Sequence, residues 1–429
     1  MESRQPVGSR AIGHRAGHRR RAAGALVTAA CFVGLSCATA APAMADTNVP
    51  LNSGECKFGA DDIKETPWSL QRLLTNQMWA DTRGKGVRVA VIDTGIDAGN
   101  AQIRPNISGG KSFVGGKPTE DTVGHGTKVA GIIAARPRPG SGFFGIAPEA
   151  NVIPLQQTSD KKAGNAASLA DAINYAVSQK VDIINISQGT AASPARLELL
   201  KTAIRNAAAH KILIVASAGN DGASGAEKNM YPAAFQEFDN VLSVAASDRN
   251  NERAPFSQPG AWVDIAAPGV DMVSTVPNGG NCVDQGTSFA APYAAGAAAL
   301  LIAKHKDEGQ HWTPQEVIWH LEQTAERVRR TADHNIGWGV VDPVAALKDD
   351  TRPTAAPQPD KPSNAADGSN IQPAAITIGE SPGERRARIA IYIVGGGLLA
   401  VAAVVGSSIA IRDWRRKTGL TTHGEAKHG

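Results

Sequence analysis

A short apolar run that ends in a polar turn decides the fold of this chain: Val87-Arg88-Val89-Ala90-Val91-Ile92-Asp93-Thr94-Gly95. Similar apolar runs follow it, and segments with helical periodicity lie between them. The predicted strands cover residues 87–92, 152–156, 181–186, 212–216, 241–246 and 262–266. Near-continuous apolar strands that alternate with helices are typical of a parallel sheet buried on both faces. The pattern therefore predicts an α/β domain with a doubly wound, mostly parallel β-sheet flanked by helices, and with its chemistry at the strand ends.

Helix signals lie between and after these strands. Thr66 suits a helix N-cap and Pro67 a first helical position, so we expect a helix that continues to Trp79. A capping box that begins at Thr313 predicts another helix, to about Glu326. The remaining predicted helices cover residues 125–135, 167–179, 194–210 and 289–304. These elements follow one another without a composition break, which predicts a single domain at residues 66–348.

Three polar residues beside small neighbours carry the predicted chemistry. Asp93 ends the first strand, His125 lies between two glycines at a helix start, and Ser288 follows Gly-Thr at another helix start. Acyl transfer by serine needs a hydroxyl to attack, an imidazole to take its proton and a carboxylate to orient the imidazole. The sequence therefore predicts Asp93, His125 and Ser288 as the catalytic residues of a hydrolase.

Each of these residues also has a structural interpretation. Asp93 can form a turn and Ser288 can be an ordinary N-cap, while a lone histidine most often has no chemical role. Asp-Thr-Gly also marks aspartic proteases, but that chemistry needs two such carboxylates that share a proton. The sequence contains no second Asp-Thr-Gly or Asp-Ser-Gly. The presence of all three roles in one chain favours the catalytic interpretation.

The segments around these residues resemble those of the subtilisin-like serine proteases, the subtilases, over residues 68–347. The resemblance rests on Val-Ile-Asp93-Thr-Gly, Gly-His125-Gly-Thr and Gly-Thr-Ser288-Phe-Ala-Ala-Pro, in the order Asp, His, Ser. It implies a subtilisin-like peptidase domain and a serine endopeptidase that hydrolyses polypeptide substrates through an acyl-enzyme. It also implies a cis peptide bond between Tyr231 and Pro232.

The same resemblance assigns further site residues. Ser217-Ala218-Gly219-Asn220 matches the segment whose Asn donates its side-chain amide to the tetrahedral intermediate, so Asn220 and the Ser288 backbone N–H form the expected oxyanion hole. Asn220 also begins an Asn-Asp-Gly turn, which is the structural alternative. The residues expected to bind an extended substrate by strand addition are Ser187, Gln188 and Gly189.

Charge and composition narrow the partners. The chain has 44 Lys and Arg against 40 Asp and Glu, a formal net charge of +4. Its first 45 residues contain six Arg and one Glu, so the remainder is close to neutral and nucleic acid is not an expected partner. Residues 136–145, where some subtilases hold calcium, lack Asp, Glu, Asn and Gln. We therefore expect neither a metal site nor a cofactor.

Residues 1–45 have the pattern of a secretory signal peptide. A basic stretch ends at Arg21, an apolar run covers residues 22–38, and Ala43-Met44-Ala45 suits the cleavage site. Two cysteines, Cys56 and Cys282, remain after cleavage of the signal peptide. The compartment outside the membrane is oxidising and permits disulfides, and two cysteines can pair in only one way. A disulfide between them is predicted, with two free thiols as the alternative. It would tie the N-terminal extension, residues 46–65, to the segment before the serine.

The C-terminal part of the chain changes character. Residues 349–388 are rich in Pro and Ala and predict a flexible linker. Residues 389–411 contain no charge and are long enough to cross a bilayer as a helix. Residues 412–429 would form a short cytoplasmic tail. Because a cleaved signal places the preceding chain outside, we expect a single-pass type I protein of the cell membrane with an extracellular catalytic domain.

This organisation is similar to that of the mycosins, which are membrane-anchored subtilases of actinobacterial type VII secretion systems. The shared features are a signal, a short cysteine-bearing extension, a Pro-rich linker and a C-terminal span. The resemblance implies the membrane and the type VII secretion machinery as partners. It leaves two functions open: a protease that serves secretion, or a scaffold that stabilises the secretion complex while proteolysis is dispensable.

Overall fold

The computed structural model describes residues 56–190, 193–224, 228–327, 329, 331–360 and 382–418. The predicted signal peptide, the first part of the extension, most of the predicted linker and the end of the tail lie outside the described residues. Two separate units hold the described chain, one up to Asp360 and one from Lys361 onward.

A seven-stranded, entirely parallel sheet forms the centre of the first unit. Its strands are β1 (Arg88–Asp93), β2 (Lys111–Ser112), β3 (Asn151–Gln156), β4 (Ile183–Ile186), β5 (Leu213–Ser217), β6 (Val241–Ser247) and β7 (Ile265–Pro268). Their spatial order is β2-β3-β1-β4-β5-β6-β7. A separate antiparallel hairpin pairs β8 (Met272–Thr275) with β9 (Asn281–Asp284). The prediction of a doubly wound, mostly parallel sheet is confirmed.

Helices cover both faces of this sheet. The first unit contains α1 (Trp68–Gln71), α2 (Thr75–Met78), α3 (His125–Ala134), α4 (Ala166–Ser178), α5 (Pro194–Ala209), α6 (Thr287–Asp307), α7 (Pro314–Gln323) and α8 (Pro343–Lys348). Residues of α3 and α6 form one buried apolar cluster with one sheet face, and residues of α4 and α5 form a second cluster with the other.

Strand β1 shows why the sheet is buried on both sides. Val89 and Val91 belong to the cluster that contains α3 and α6, whereas Ala90 and Ile92 belong to the cluster that contains α4 and α5. Successive side chains of a strand point to opposite faces, so an uninterrupted apolar run serves two cores. The carboxylate that follows is consequently fixed at the strand's end by apolar packing on both faces.

The structure corrects the prediction of one helix from Thr66 to Trp79. Two short helices, α1 and α2, occupy this stretch, and Leu74 between them has a non-helical ψ of 80°. The Trp68 indole N–H donates to the carbonyl of Val270 at 2.9 Å, and α2 buries Met78 in the core. Anchoring these separate side chains takes precedence over helix propensity, which is a weak preference.

The remaining differences are at short elements and ends. Helix α7 ends at Gln323 rather than near Glu326, because the backbone of Glu326 pairs instead with Val340. The sequence did not predict β2, β8, β9 or α8, which are too short for a periodic signal. The expected cis bond between Tyr231 and Pro232 is present.

The second unit contains α9 (Pro382–Thr418), a single helix whose apolar part includes the predicted span. Residues 385–417 qualify as a candidate membrane span, with a mean hydropathy of 2.3 in the most apolar window. Its apolar side chains are exposed, and Arg415, Arg416 and Lys417 lie in its last turn. Length and composition therefore allow this helix to anchor the protein in a membrane.

Candidate active site

The carboxyl ends of neighbouring strands bring the predicted site residues to one edge of the sheet. Asp93 ends β1, Ser187 follows β4, and Asn220 lies just beyond the end of β5. The direction in which strands are added to the sheet reverses at β1, since β3 pairs on one side of it and β4 on the other. Clefts of open α/β sheets form outside the carboxyl ends of strands at such a switch point. Helix starts supply the other two groups, His125 on α3 and Ser288 on α6.

Asp93 and His125 form a buried pair. The imidazole Nδ1 is 2.7 Å from the Asp93 Oδ1; His125 is 4% exposed and Asp93 0%. The backbone N–H of Thr94 donates to the same Oδ1 at 2.7 Å. Because an ionised carboxylate can only accept, Nδ1 carries the hydrogen and Nε2 is left as an acceptor. This is the tautomer that a general base needs.

Glycine at position 126 allows the helix to approach the strand this closely. A Cβ on Gly126 would lie 2.1 Å from the carbonyl oxygen of Gly95 and 3.1 Å from the Cβ of Asp93. Neither neighbour can move freely, because the first is backbone and the second is fixed by β1. A side chain at this position would therefore separate the imidazole from the carboxylate.

Asp121 joins the strand end to the helix start. Its Oδ1 accepts from the hydroxyl of Thr94 at 2.8 Å and the N–H of Gly124 at 2.7 Å. Its Oδ2 accepts from the N–H and the hydroxyl of Thr127 at 2.9 and 2.7 Å, and the Thr94 hydroxyl accepts from the N–H of Gly126 at 2.8 Å. Burial raises the pKa of the Asp121 carboxyl above its ordinary value, and these hydrogen bonds offset only part of that rise. This network fixes the turn after β1 against the first turn of α3.

Sequence analysis did not identify Asp121. Its position just before the predicted helix at His125 is the one sequence signal that could have found it, because acidic residues often cap the start of a helix. The link to Thr94 has no sequence signal, because it joins residues from different elements.

Ser288 is buried at the start of α6, beside the imidazole but not bonded to it. Its Oγ donates to the carbonyl oxygen of Ser187 at 2.9 Å, and no hydrogen bond joins it to His125 in the described structure. The ring of the next residue, Phe289, has its centre 5.5 Å from that of the imidazole. Hydroxyl, imidazole and carboxylate thus lie in one region, with the hydroxyl turned to the segment after β4.

Two N–H donors converge beside the serine. The Asn220 Oδ1 accepts from the N–H and the hydroxyl of Thr287, both at 2.9 Å, which fixes the orientation of the amide. A Cβ on Gly286 would lie 3.5 Å from Asn220 Nδ2 and 3.6 Å from Ser288 N. One point in space is therefore close to both donors, and Gly286, at φ +152°, leaves it open. These two nitrogens therefore lie near one another beside the serine.

The predicted substrate-binding residues leave β4 at the same edge. Ser187 is buried and its carbonyl oxygen faces the serine hydroxyl, while the buried Nε2 of Gln188 has no hydrogen-bond partner in the described chain. Beyond Gly189, Thr190 and Tyr231 exchange two backbone hydrogen bonds of 2.9 and 3.0 Å. The segment is thus held at its far end.

The N-terminal extension reaches the site through a disulfide. Cys56 and Cys282 are joined, with their Cα atoms 5.6 Å apart. The ring of Phe58 lies against Gly124, since a Cβ there would be 2.7 Å from Phe58 Cε1. Phe58 therefore packs one residue before His125 while 41% of it stays exposed.

Two acidic groups outside the site have displaced pKa values. Burial, and to a lesser extent the charge of Asp264, raise the pKa of Glu322 on α7 to about 9. Burial raises the pKa of Asp264 to about 7, although the N–H of Ser243 donates to it at 2.7 Å. Within the part of the chain that the structure describes, no three His, Cys, Asp or Glu residues are grouped as metal ligands.

Comparisons with known proteins identify the family of this domain. The model of the subtilase family matches residues 84–339. Subtilisin Savinase of Lederbergia lenta is 37% identical over 289 residues, which cover 66% of this chain and all of that protein. Alkaline elastase YaB of Bacillus sp. (strain YaB) is 38% identical over 290 residues, 67% of this chain and 71% of that protein.

Solved structures give the same result. The MycP3 protease from the type VII (ESX-3) secretion system is 33% identical with a TM-score of 0.60, over 68% of this chain and 90% of that one. MycP1 from Mycobacterium smegmatis is 28% identical with a TM-score of 0.61, over 72% of this chain and 94% of that one.

Proposed function

The chain belongs to the subtilase family and is a serine protease, and from this premise we propose that Asp93, His125 and Ser288 are its catalytic triad. The observation that carries the assignment is the buried 2.7 Å contact between His125 Nδ1 and Asp93 Oδ1, in the same region as a serine at a helix start. Within the described residues His125 Nδ1 is bonded to Asp93 and Nε2 has no hydrogen-bond partner, as a general base requires.

Acylation follows from this arrangement. The Ser288 Oγ attacks the carbonyl carbon of the scissile peptide bond while His125 Nε2 takes the hydroxyl proton. Asp93 stabilises the imidazolium that forms, through the hydrogen bond to Nδ1–H. The C–N bond then breaks, the imidazolium gives its proton to the leaving amine, and an ester of Ser288 remains.

Deacylation repeats these steps with water. The water oxygen attacks the ester carbonyl while His125 takes a proton from the water; the C–O bond to Ser288 then breaks, the imidazolium gives its proton to the serine oxygen, and the carboxylic acid product leaves. In both halves Asn220 Nδ2 and Ser288 N–H donate to the developing oxyanion, where fixed donors act without reorganisation.

The free enzyme holds the serine hydroxyl on the carbonyl oxygen of Ser187. That oxygen belongs to the segment proposed to pair with substrate, so an incoming peptide N–H competes for it. We expect substrate binding to release the hydroxyl, which can then donate to His125. Catalytic hydrogen bonds often tighten only in the substrate complex.

A fluorophosphonate probe tests the triad directly. Purified full-length protein in detergent should be labelled, whereas Ser288→Ala and His125→Ala variants of equal thermal stability should not. Labelling of Ser288→Ala at the wild-type rate would refute the assignment.

We further propose that the protease is a single-pass cell-membrane protein with an extracellular catalytic domain, and that it serves type VII secretion. Support comes from the apolar α9 and from solved relatives described as proteases of type VII secretion systems. The proposed partners are a polypeptide substrate, the membrane and the secretion machinery. Protease protection of intact cells tests the topology, because an externally added protease should remove the catalytic domain.

The alternative function is a scaffold for the secretion complex. It is favoured by the same anchor, which would hold the domain beside membrane components. In a strain that lacks the protein, wild type and Ser288→Ala should be compared by terminal sequencing of secreted proteins. Restored secretion without processing by Ser288→Ala would favour the scaffold, and loss of both would favour the protease.

A further inference from the structure

Helix α3 buries a charged residue one turn after the imidazole. Lys128 is 1% exposed, and its neighbours Val129, Ile132 and Ile133 belong to the apolar core. A buried lysine is rare because removal of an ammonium from water is costly. A well-packed apolar residue at such a position is often equally stable or more so. The charge therefore calls for an explanation beyond stability.

The partner of Lys128 is Asp284, which ends β9 four residues before the serine. Lys128 Nζ is 2.5 Å from Asp284 Oδ2, and the carboxylate side chain is 8% exposed. Asp284 Oδ1 also accepts the N–H of Gln285 at 2.8 Å. The pair thus connects the helix that carries His125 to the strand that leads into Ser288.

The aromatic ring between these groups shows how close the pair is to the imidazole. The centre of the Phe289 ring is 5.6 Å from Lys128 Nζ and 5.5 Å from the centre of the His125 ring. The ammonium and the imidazole are therefore at most about 11 Å apart, through buried protein rather than water. Charges at this separation interact appreciably where the effective dielectric constant is low.

We propose that Lys128 and Asp284 are positioning residues for the protease reaction: their ion pair clamps the imidazole's helix to the serine's strand, and the two charges cancel each other's effect on His125. The inference rests on the proposed role of His125 as general base. The charged groups around the imidazole are Asp93 on β1, Asp121 in the loop before α3, Lys128 on α3 and Asp284 on β9. Only the last two form a compensated pair whose members can be neutralised one at a time without touching the triad.

The test measures the rate of labelling by a fluorophosphonate against pH, on the full-length protein in detergent. The acid limb of this profile reports the protonation of His125. Asp284→Asn leaves the ammonium uncompensated and should move the limb to lower pH by about half to one unit. Lys128→Met leaves the carboxylate uncompensated and should move it to higher pH by a similar amount. A purely structural role predicts lower rates in both variants with no opposite shifts.

Two further variants keep the test decisive if a single neutralisation prevents folding. Lys128→Met/Asp284→Leu removes both charges and should fold, since apolar replacement of a buried pair is tolerated. Its acid limb should return to the wild-type pH while its maximal rate falls severalfold, because the clamp is lost. Lys128→Arg keeps the charge and should leave the limb in place.

Each result bears on the proposal in a distinct way. Opposite shifts in the single variants, or a slower double variant with an unmoved limb, support it. Limbs that stay in place or move in the same direction overturn it, as does a double variant with the wild-type rate. Failure of the proposed function would differ from all of these, because wild type itself would then not be labelled.

Discussion

Replacing Asp93 by Asn removes the charge behind the imidazole while retaining its shape. Two donors, the N–H of Thr94 and the Nδ1–H of His125, converge on Oδ1 at 2.7 Å each, while the buried Oδ2 has no partner within the described chain. The new amide therefore places its oxygen at Oδ1 and its NH₂ at Oδ2. The imidazole keeps the tautomer with hydrogen on Nδ1, and only the carboxylate charge is lost.

The magnitude follows from that charge. A carboxylate and an imidazolium with centres about 4 Å apart interact by about 4 kcal/mol where the effective dielectric constant is near 20. Because the imidazolium exists only in the transition state and intermediates, kcat for Asp93→Asn should fall by about 10³-fold, with KM little changed. A variant with the wrong tautomer loses about 10⁴-fold. The unpaired NH₂ should also lower stability by about 1–3 kcal/mol.

Peptidase kinetics and ¹⁵N resonances of the histidine imidazoles measure the two parts of this prediction. Asp93→Ala, which leaves Nδ1 without an acceptor, is the matched control and should be slower than Asp93→Asn. A loss of tenfold or less would refute the electrostatic argument. A His125 resonance pattern with hydrogen on Nε2 in the Asn variant would refute the geometric one.

Three further predictions concern the oxyanion hole, a buried acid and the disulfide. Asn220→Ala should lower kcat by about 10²–10³-fold with little change in KM, a magnitude known for such a donor in subtilisin itself. Glu322 holds its proton in the folded protein up to pH about 9 but releases it near the ordinary value of 4.5 when unfolded. Wild-type stability should therefore fall as pH rises through this window, by up to about 1.4 kcal/mol per unit, and Glu322→Gln should reduce that slope. Removal of the link between Cys56 and Cys282, 226 residues apart, should cost about 2–5 kcal/mol of unfolding free energy, measured by denaturant titration.

Controls separate these effects from general damage. Glu198→Gln changes an exposed acid on α5 and should leave the pH dependence of the melting temperature as in wild type. Unchanged slopes in Glu322→Gln would contradict the buried-acid argument. An Asn220→Ala variant whose KM rises while kcat stays constant would show a role in substrate binding instead. Cys56→Ser and Cys282→Ser singly should each match the double variant, and a difference would point to reactions of the remaining thiol.

The local signals in the sequence were sufficient for six of the seven strands of the sheet and for most of its helices. Five of the predicted strands overlap observed ones almost entirely, because uninterrupted apolar runs are long enough to show their pattern. The sixth, predicted at residues 262–266, is displaced, since β7 begins only at Ile265. The broken helix after Thr66 and the short hairpin of β8 and β9 could not be predicted, because contacts with distant residues determine them.

The sequence alone determined the fold class, the subtilase family, the residue types of the proposed triad and the apolar C-terminal helix, since each depends on local patterns. Only the tertiary structure decided which groups meet. It set the 2.7 Å contact between carboxylate and imidazole, the serine hydroxyl turned to Ser187, the network of Asp121 and the buried pair of Lys128 and Asp284. These contacts join residues far apart in the chain, and their geometry depends on how strands, helices and buried charges pack against one another.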